Sequence, residues 1–337
     1  MKSCFPWVGG KAKLLWLISK LFPSQVNRFV DVFGGSGTVL LSRPIRKGCI
    51  EIYNDFNSNL TNLFFCIKKR PFALLRELAF LPLNSRDGFS VLLKFLRQEE
   101  FTDDYLQENL DLAQQYLSPV EFEEARALLL ERAELGDVQR AAAYYKVIRY
   151  SFSGSASSFA GKPCDIRHFF HLIWDCSRRL ADVVVENKDF AALIRQYDRK
   201  NTLFYCDPPY FQAEKCYQVQ FTKADHHRLH HRLRKCKGFV MVSYNDCPFI
   251  RKLYRDFYIY HTDRHNSMSQ KAGSKYEEII MTNYDPQRHI QQMTMFDDAV
   301  GGDGKEKYIL IHRPNKELWE ANNAKENSYH KAGAPTD

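Results

Sequence analysis

With 337 residues, 45% hydrophobic and 26% charged, the chain has enough apolar volume for one large domain or two modest ones, which excludes wholesale disorder. No run approaches eighteen apolar residues, excluding a spanning helix. The N-terminal MKSCFPWVGGKAKLLW lacks a signal cleavage site, and nine cysteines without a Cys-x-x-Cys pair read as reduced cytoplasmic thiols with no metal centre. The net charge of +8 is unevenly spread. Residues 98–137 hold 12 acids against two arginines, whereas residues 140–275 hold 24 Lys and Arg against 12 Asp and Glu, a basic block suited to a polyanion.

In chain order, RFVDVF (Arg28–Phe33) predicts a strand, followed by GGSG and an apolar TVLLSR that opens a helix. CIEIYN (Cys49–Asn54) predicts a second strand leading into a helical NSNLTNLFFCIKKR. From about Pro71 to Ile148 the pattern is helical throughout, and RYSFSGSASSFAGKP then reads as a mobile loop rich in Ser and Gly. DVVVEN, TLFYCD, GFVMVS, DFYIYH and EEIIMTNY predict further strands, with helices over Thr222–Cys236 and Pro248–Arg255. Strand–helix alternation implies a mostly parallel sheet covered on both faces. Beyond Asp285 the chain turns polar, with one further strand candidate in KYILIH.

Two stretches carry chemistry. In DVFGGSGTV, Gly34, Gly35 and Gly37 lie between a strand and a helix, where the backbone can approach a ligand closely. Asp55 ends the next strand, placed for the two hydroxyls of a ribose. That order points to a nucleoside-containing cofactor; no Gly-Lys-Ser/Thr follows, so it is not a phosphate loop. In TLFYCDPPYF, a hydrophobic strand ends at Asp207, and Pro208 and Pro209 then forbid helix or sheet. An acid, a stiff backbone carbonyl and the plane of Tyr210 are presented together. They suit a flat heterocycle bearing an amino group: Asp207 and the Pro208 carbonyl accept the amine hydrogens while Tyr210 stacks on the ring.

Together these residues resemble the DNA adenine-N6 methyltransferases of the Dam-like D12 class, in the α arrangement of motifs. The resemblance implies a Rossmann-like class I methyltransferase sheet of the α/β class, seven-stranded, with a helical target-recognition domain inserted. It implies catalytic segments at 1–70 and 166–285, the insertion and its loop at 71–165, and a polar extension at 286–337. S-adenosyl-L-methionine is the implied cofactor and double-stranded DNA the implied partner, with the target adenine flipped out of the stack. PWVGGKAKLL is similar to the family's N-terminal cofactor segment, which assigns Trp7 to the cofactor adenine and Lys11 toward the active site. DVFGGSG implies cofactor roles for Asp31 and Phe33, and NKDF assigns Asp189 and Phe190 to the cofactor's adenine. Pro209 belongs to the catalytic motif and Phe211 walls the base pocket.

Arg149, Lys162 and Arg167 flank the Ser/Gly loop and are candidates for DNA phosphates, as is Lys275 in the later strand-loop. DHHRLHHRL places His226 and His230, and His227 and His231, at i, i+4 on a helix. With no completing ligand in the pattern, it reads as a half-exposed helix near the DNA rather than a metal site. SYND (Ser243–Asp246) ends a strand and is a candidate lining of the target pocket. The expected activity is site-specific methylation of adenine N6 in double-stranded DNA by a monomer or weak dimer, with a cognate restriction endonuclease acting separately. Cytosine N4 as the target, or an inactive DNA-binding scaffold, are the alternatives.

Overall fold

The computed structural model describes residues 1–80, 85–97, 111, 114–123, 138–161, 165–212, 220–265, 275–288 and 308–314. Its regular elements begin with α1 (Leu15–Lys20), β1 (Arg28–Asp31), α2 (Thr38–Ser42), β2 (Ile50–Asn54), α3 (Ser58–Lys69), α4 (Pro71–Phe80) and α5 (Arg86–Arg97). They continue with α6 (Val138–Tyr150), α7 (Phe170–Arg179), β3 (Val184–Glu186), α8 (Phe190–Tyr197), β4 (Thr202–Cys206) and α9 (Lys223–Leu233). β5 (Phe239–Asn245), α10 (Pro248–Leu253), β6 (Tyr258–His265), β7 (Lys275–Thr282) and β8 (Tyr308–His312) complete the described set. They fall into two compact units. Unit 1 comprises Met1–Gly10, Gly35–Leu41 and Asp55–Asn187, and unit 2 comprises Lys11–Gly34, Ser42–Asn54 and Lys188–Asp337.

In unit 2, seven strands lie side by side in the order β2-β1-β4-β5-β7-β6-β8. β2, β1, β4 and β5 pair in parallel, with Val30 opposite both Ile52 and Phe204. A strand covered on both faces reads as a continuous apolar run, and TLFYC is buried at every position. The other pairings are antiparallel, β7 running between β5 and β6 and β8 adding to β6. Three of these six pairings therefore depart from the parallel arrangement that alternation suggested, because β7, lying between β5 and β6, runs opposite to both. The polar extension contributes β8 to this sheet.

The core of unit 2 joins Val30, Phe204, Val240 and Val242 of the strands to Leu193 and Ile194 of α8, Leu229 and Leu233 of α9 and Ile250 of α10. Full burial of each such side chain contributes roughly 1.5–3 kcal/mol. α9 starts cleanly because Thr222 and Asp225 form a capping box: the Thr222 hydroxyl accepts from the Asp225 amide, and the Asp225 carboxylate accepts from the Thr222 amide at 2.9 Å. Pro248 opens α10, where a missing N–H costs nothing.

Unit 1 is built on α6, whose Ala141, Ala142, Ala143, Tyr144, Tyr145, Val147 and Ile148 are all buried. A helix buried around its circumference serves as a central post, and α3, α4 and α5 pack against it. The Ser/Gly segment after α6, whose composition suggests a mobile loop, folds back as a tight hairpin. The Phe152 amide donates to the Ser158 carbonyl and the Ala160 amide to the Tyr150 carbonyl, both at 2.8 Å. Ser151 Oγ accepts from the Ala156 amide at 2.9 Å.

The borders of the units differ from those of the expected domains. Trp7, Gly35, Gly37 and Asp55 belong to the unit that contains the helical insertion. The reason is packing: α3, which follows Asp55 directly, lies against α6 and α7. Of the acidic stretch 98–137, only residues 111 and 114–123 are among the described residues.

Candidate active site

In unit 2, β4 ends at Cys206 and delivers Asp207, Pro208, Pro209 and Tyr210 at the carboxyl edge of the sheet, the edge where α/β folds place their ligands. Lys11 closes on this tetrapeptide. Its Nζ lies 2.7 Å from Asp207 Oδ2, with side-chain exposures of only 3% and 19%, and 4.9 Å above the centre of the Tyr210 ring. The ring of Tyr210 is 6% exposed and lies 6.1 Å from that of Tyr244. The aromatic plane of Tyr210 is thus covered, with an ammonium over it.

Phe211 stacks on Phe249 at 4.3 Å and meets His226 edge-on. Asn245, at the end of β5, donates from Nδ2 to the Phe211 carbonyl at 3.1 Å and fixes the exit of the motif. The next residue, Gln212, has φ of 67°, a left-handed conformation uncommon for a non-glycine. Beneath the motif, the Tyr244 hydroxyl is 2.7 Å from Nδ1 of the fully buried His226. Burial raises the Tyr244 phenol well above its ordinary range, so it remains a neutral hydroxyl.

The neighbouring strand ends are fastened by Asn54, which sequence reasoning passed over in favour of Asp55. Asn54 Nδ2 donates to the carbonyls of Val32 at 2.9 Å and Lys188 at 3.1 Å, and its Oδ1 accepts from the Lys188 amide at 2.8 Å. Asparagine is depleted in strands, so a buried one at a strand end was the available signal. Asp31 closes β1 and is buried. A side chain at Gly34 would collide with Tyr53, its Cβ falling 2.3 Å from the ring.

Phe33, Phe190 and Phe221 form a trio with each pair of ring centres 5.8 Å apart. The guanidinium of Arg228 covers Phe190 at 4.1 Å. Asp189 caps α8 by accepting from the Ala191 amide at 3.0 Å, and Arg228 binds its two oxygens at 3.1 and 2.8 Å. Arg228 had not been singled out in the sequence; its position three residues after Asp225, with which it also pairs, gave no sign of the Asp189 clamp.

In unit 1, the Gly35 amide donates to Asp55 Oδ2 at 3.0 Å and the Asn57 amide to Oδ1 at 2.8 Å. Gly35 has φ of 51°, and a Cβ there would fall 2.8 Å from Trp7 Nε1. Only glycine fits both the conformation and the approach. Gly37 follows with φ of 66°. Burial holds the Asp55 carboxyl above its ordinary range even though backbone amides donate to it.

Arg149, expected at DNA, is turned inward. It donates to the Tyr145 hydroxyl at 3.1 Å and to the Cys4 carbonyl, and lies 3.6 Å over the Phe169 ring. It fastens the N-terminal segment to α6. Arg167 forms an exposed pair with Asp165. Lys275 opens β7, and Lys162 lies outside the described residues. His226 and His230 are each engaged, the latter with Asp256 at 2.7 Å, and Ser243 meets the Tyr205 hydroxyl at 2.7 Å inside the sheet.

A family model described as D12 class N6 adenine-specific DNA methyltransferase matches residues 7–268. The type II methyltransferase M1.LlaDCHI of Lactococcus lactis subsp. cremoris is 25% identical over 302 residues, covering 82% of this chain and 94% of the relative. The retron Ec67 DNA adenine methylase of Escherichia coli is 24% identical over 323 residues, covering 89% of this chain and all of its own. A DNA adenine methylase of Haemophilus influenzae is 37% identical over 62 residues, 18% of this chain and 21% of the relative.

Proposed function

We propose, for a chain that belongs to the D12 class of N6 adenine-specific DNA methyltransferases, that Asp207, Pro208 and Tyr210 hold a flipped adenine for methylation from S-adenosyl-L-methionine. The observation that carries this reading is the nearly dry cluster of Lys11, Asp207 and Tyr210 at the carboxyl end of a parallel strand. Family membership makes adenine N6 the target in place of cytosine N4.

The chemistry follows from the residues. The lone pair of an aromatic amine is delocalised into its ring and attacks poorly. The Asp207 carboxylate and the Pro208 carbonyl accept the two amine hydrogens and draw them out of the ring plane, which localises the lone pair for attack. A carboxylate has about four lone-pair sites, so the Lys11 contact leaves acceptor capacity for the base while fixing its orientation. When bound, S-adenosyl-L-methionine supplies a methyl group activated by a sulfonium centre. For the base to lie on Tyr210, the Lys11 ammonium swings off the ring, a motion its four-carbon stem permits. Phe211, locked by Phe249 and Asn245, walls the base. Because N6 is stacked inside duplex DNA, the adenine is extruded first.

Each unit holds residues whose chemistry suits one part of the cofactor. In unit 1, the Asp55 carboxylate, held by the Gly35 amide, suits the ribose hydroxyls. Phe33 and Phe190 supply an apolar face for its adenine, and Asp31 is assigned to its methionine part. Asp189 positions Phe190 by capping α8; with both oxygens held by Arg228, it acts on the cofactor through that ring.

Asp55 gives this reading a test. Its ionised form accepts from the ribose hydroxyls, and burial raises the pH at which that form appears. Cofactor affinity is therefore expected to fall on acidification, with a midpoint above the roughly 3.9 of an ordinary aspartate. Calorimetric titration of S-adenosyl-L-methionine across pH checks this. Asp55→Asn is expected to cost about 1.5–3 kcal/mol at neutral pH and to flatten the acid limb. Unchanged affinity in the variant would remove Asp55 from the cofactor site.

A further inference from the structure

We propose that the groove between α9 and α10 is a second DNA contact, binding the phosphodiester backbone away from the target base. The inference rests on DNA being the substrate. The groove has a volume of about 500 Å³ and is lined by Lys223, Arg234, Lys252 and Arg255, with Asp256 as its one carboxylate. Asp256 is already engaged, 2.7 Å from His230 Nε2 and 3.9 Å from Arg234. Among the described residues, no carboxylate pairs with Lys223, Lys252 or Arg255, and all three are exposed. Protein surfaces usually intersperse the two signs of charge. Four cations around one groove repel one another unless a polyanion lies among them.

Three features select a nucleic-acid backbone. From Lys223 to Arg234 the cations span α9 from its first residue to just past its last, roughly 16 Å at the helical rise. That length matches several consecutive phosphates and exceeds a single phosphate ion. The wall of the groove includes Phe249, with Lys223 Nζ 5.2 Å over its ring. The same ring stacks on Phe211 at 4.3 Å, so the groove adjoins the DPPYF element that receives the base. The histidine-rich character of α9 then has a use: His227, exposed on the groove, offers a ring N–H donor to phosphate oxygens, while His230 holds Asp256.

The test combines Lys223→Ala, Lys252→Ala and Arg255→Ala, three exposed positions whose change leaves the fold intact by circular dichroism. Binding of a fluorescent 30-base-pair duplex is followed by anisotropy across a salt series. Each neutralised phosphate contributes about 0.9 to the slope of log K against log salt, so the triple variant is expected to lose about 2 to 3 in slope. S-adenosyl-L-methionine affinity and kcat at saturating DNA are expected to stay at wild-type values. An unchanged slope overturns the proposal. So does an unchanged slope accompanied by loss of inorganic tripolyphosphate binding in calorimetry, which would assign the groove to a small polyphosphate. Wild-type protein that binds no duplex at all overturns both this inference and the reading beneath it, and no other outcome touches the latter.

Discussion

Asp207→Asn is expected to lower kcat for adenine methylation by about 10²–10³-fold while leaving the affinity for S-adenosyl-L-methionine within about twofold of wild type. The asparagine keeps the shape and one acceptor but loses the charge that makes the hydrogen bond to the amine strong. An interaction aimed at the reacting amine acts on the chemical step, and losses of this size follow removal of one preorganised group. Single-turnover methylation at saturating cofactor and DNA measures it directly. Alanine is the poorer probe. It would strand Lys11, 3% exposed, without its 2.7 Å partner, so lost stability would be read as lost catalysis. An Asp207→Asn enzyme that turns over at the wild-type rate would remove the carboxylate from the reaction.

The second large effect is on stability. Lys11→Met leaves the Asp207 carboxylate facing an apolar chain in a nearly dry site, and breaking a buried pair by removing one partner costs about 3–5 kcal/mol. Lys11→Met with Asp207→Asn removes both charges together and is expected to recover about half or more of that loss. Urea unfolding of the four proteins closes the cycle, provided the m-values agree. A double variant as unstable as the sum of the singles would mean that Lys11 stabilises the fold by packing over Tyr210 rather than by its charge.

Strands were legible in the sequence because each is a short apolar run with its own boundary signals. TLFYC ends one residue before two prolines forbid continuation, and RFVD ends at Asp31, two residues short of the expected Phe33 and just ahead of the glycines. The helices α9 and α10 were equally plain, since a Thr-x-x-Asp capping box and a leading proline mark their starts. The sheet's direction of pairing was not. Nothing local in DFYIYH or EEIIMTNY states that β6 and β7 run antiparallel, because register is a property of two segments and of what connects them.

Of the site, the residues with unusual backbone demands or clustered chemistry could be read: Gly35, Asp55, Asp207 and Tyr210. The residues that fasten them could not. Asn54, Arg228, Tyr244 and Asn245 act through partners 18 to 134 positions away in sequence, so no short window of the chain contains both ends of the interaction. Arg149 shows the converse. A cation beside a Ser/Gly loop suggests phosphate, yet here the guanidinium is stacked on Phe169 and bonded to Cys4. Sequence records its charge but not its direction.

The central claim is that the methyl group of S-adenosyl-L-methionine reaches adenine N6 at the Asp207–Tyr210 motif. Nucleoside mass spectrometry of unmethylated genomic DNA, incubated briefly with methyl-deuterated S-adenosyl-L-methionine and either wild-type protein or Asp207→Asn, tests it most directly. The account predicts deuterated N6-methyladenine with wild type and about 10²–10³-fold less with the variant in the same time. Deuterated N4-methylcytosine, or equal N6-methyladenine from both proteins, would contradict it.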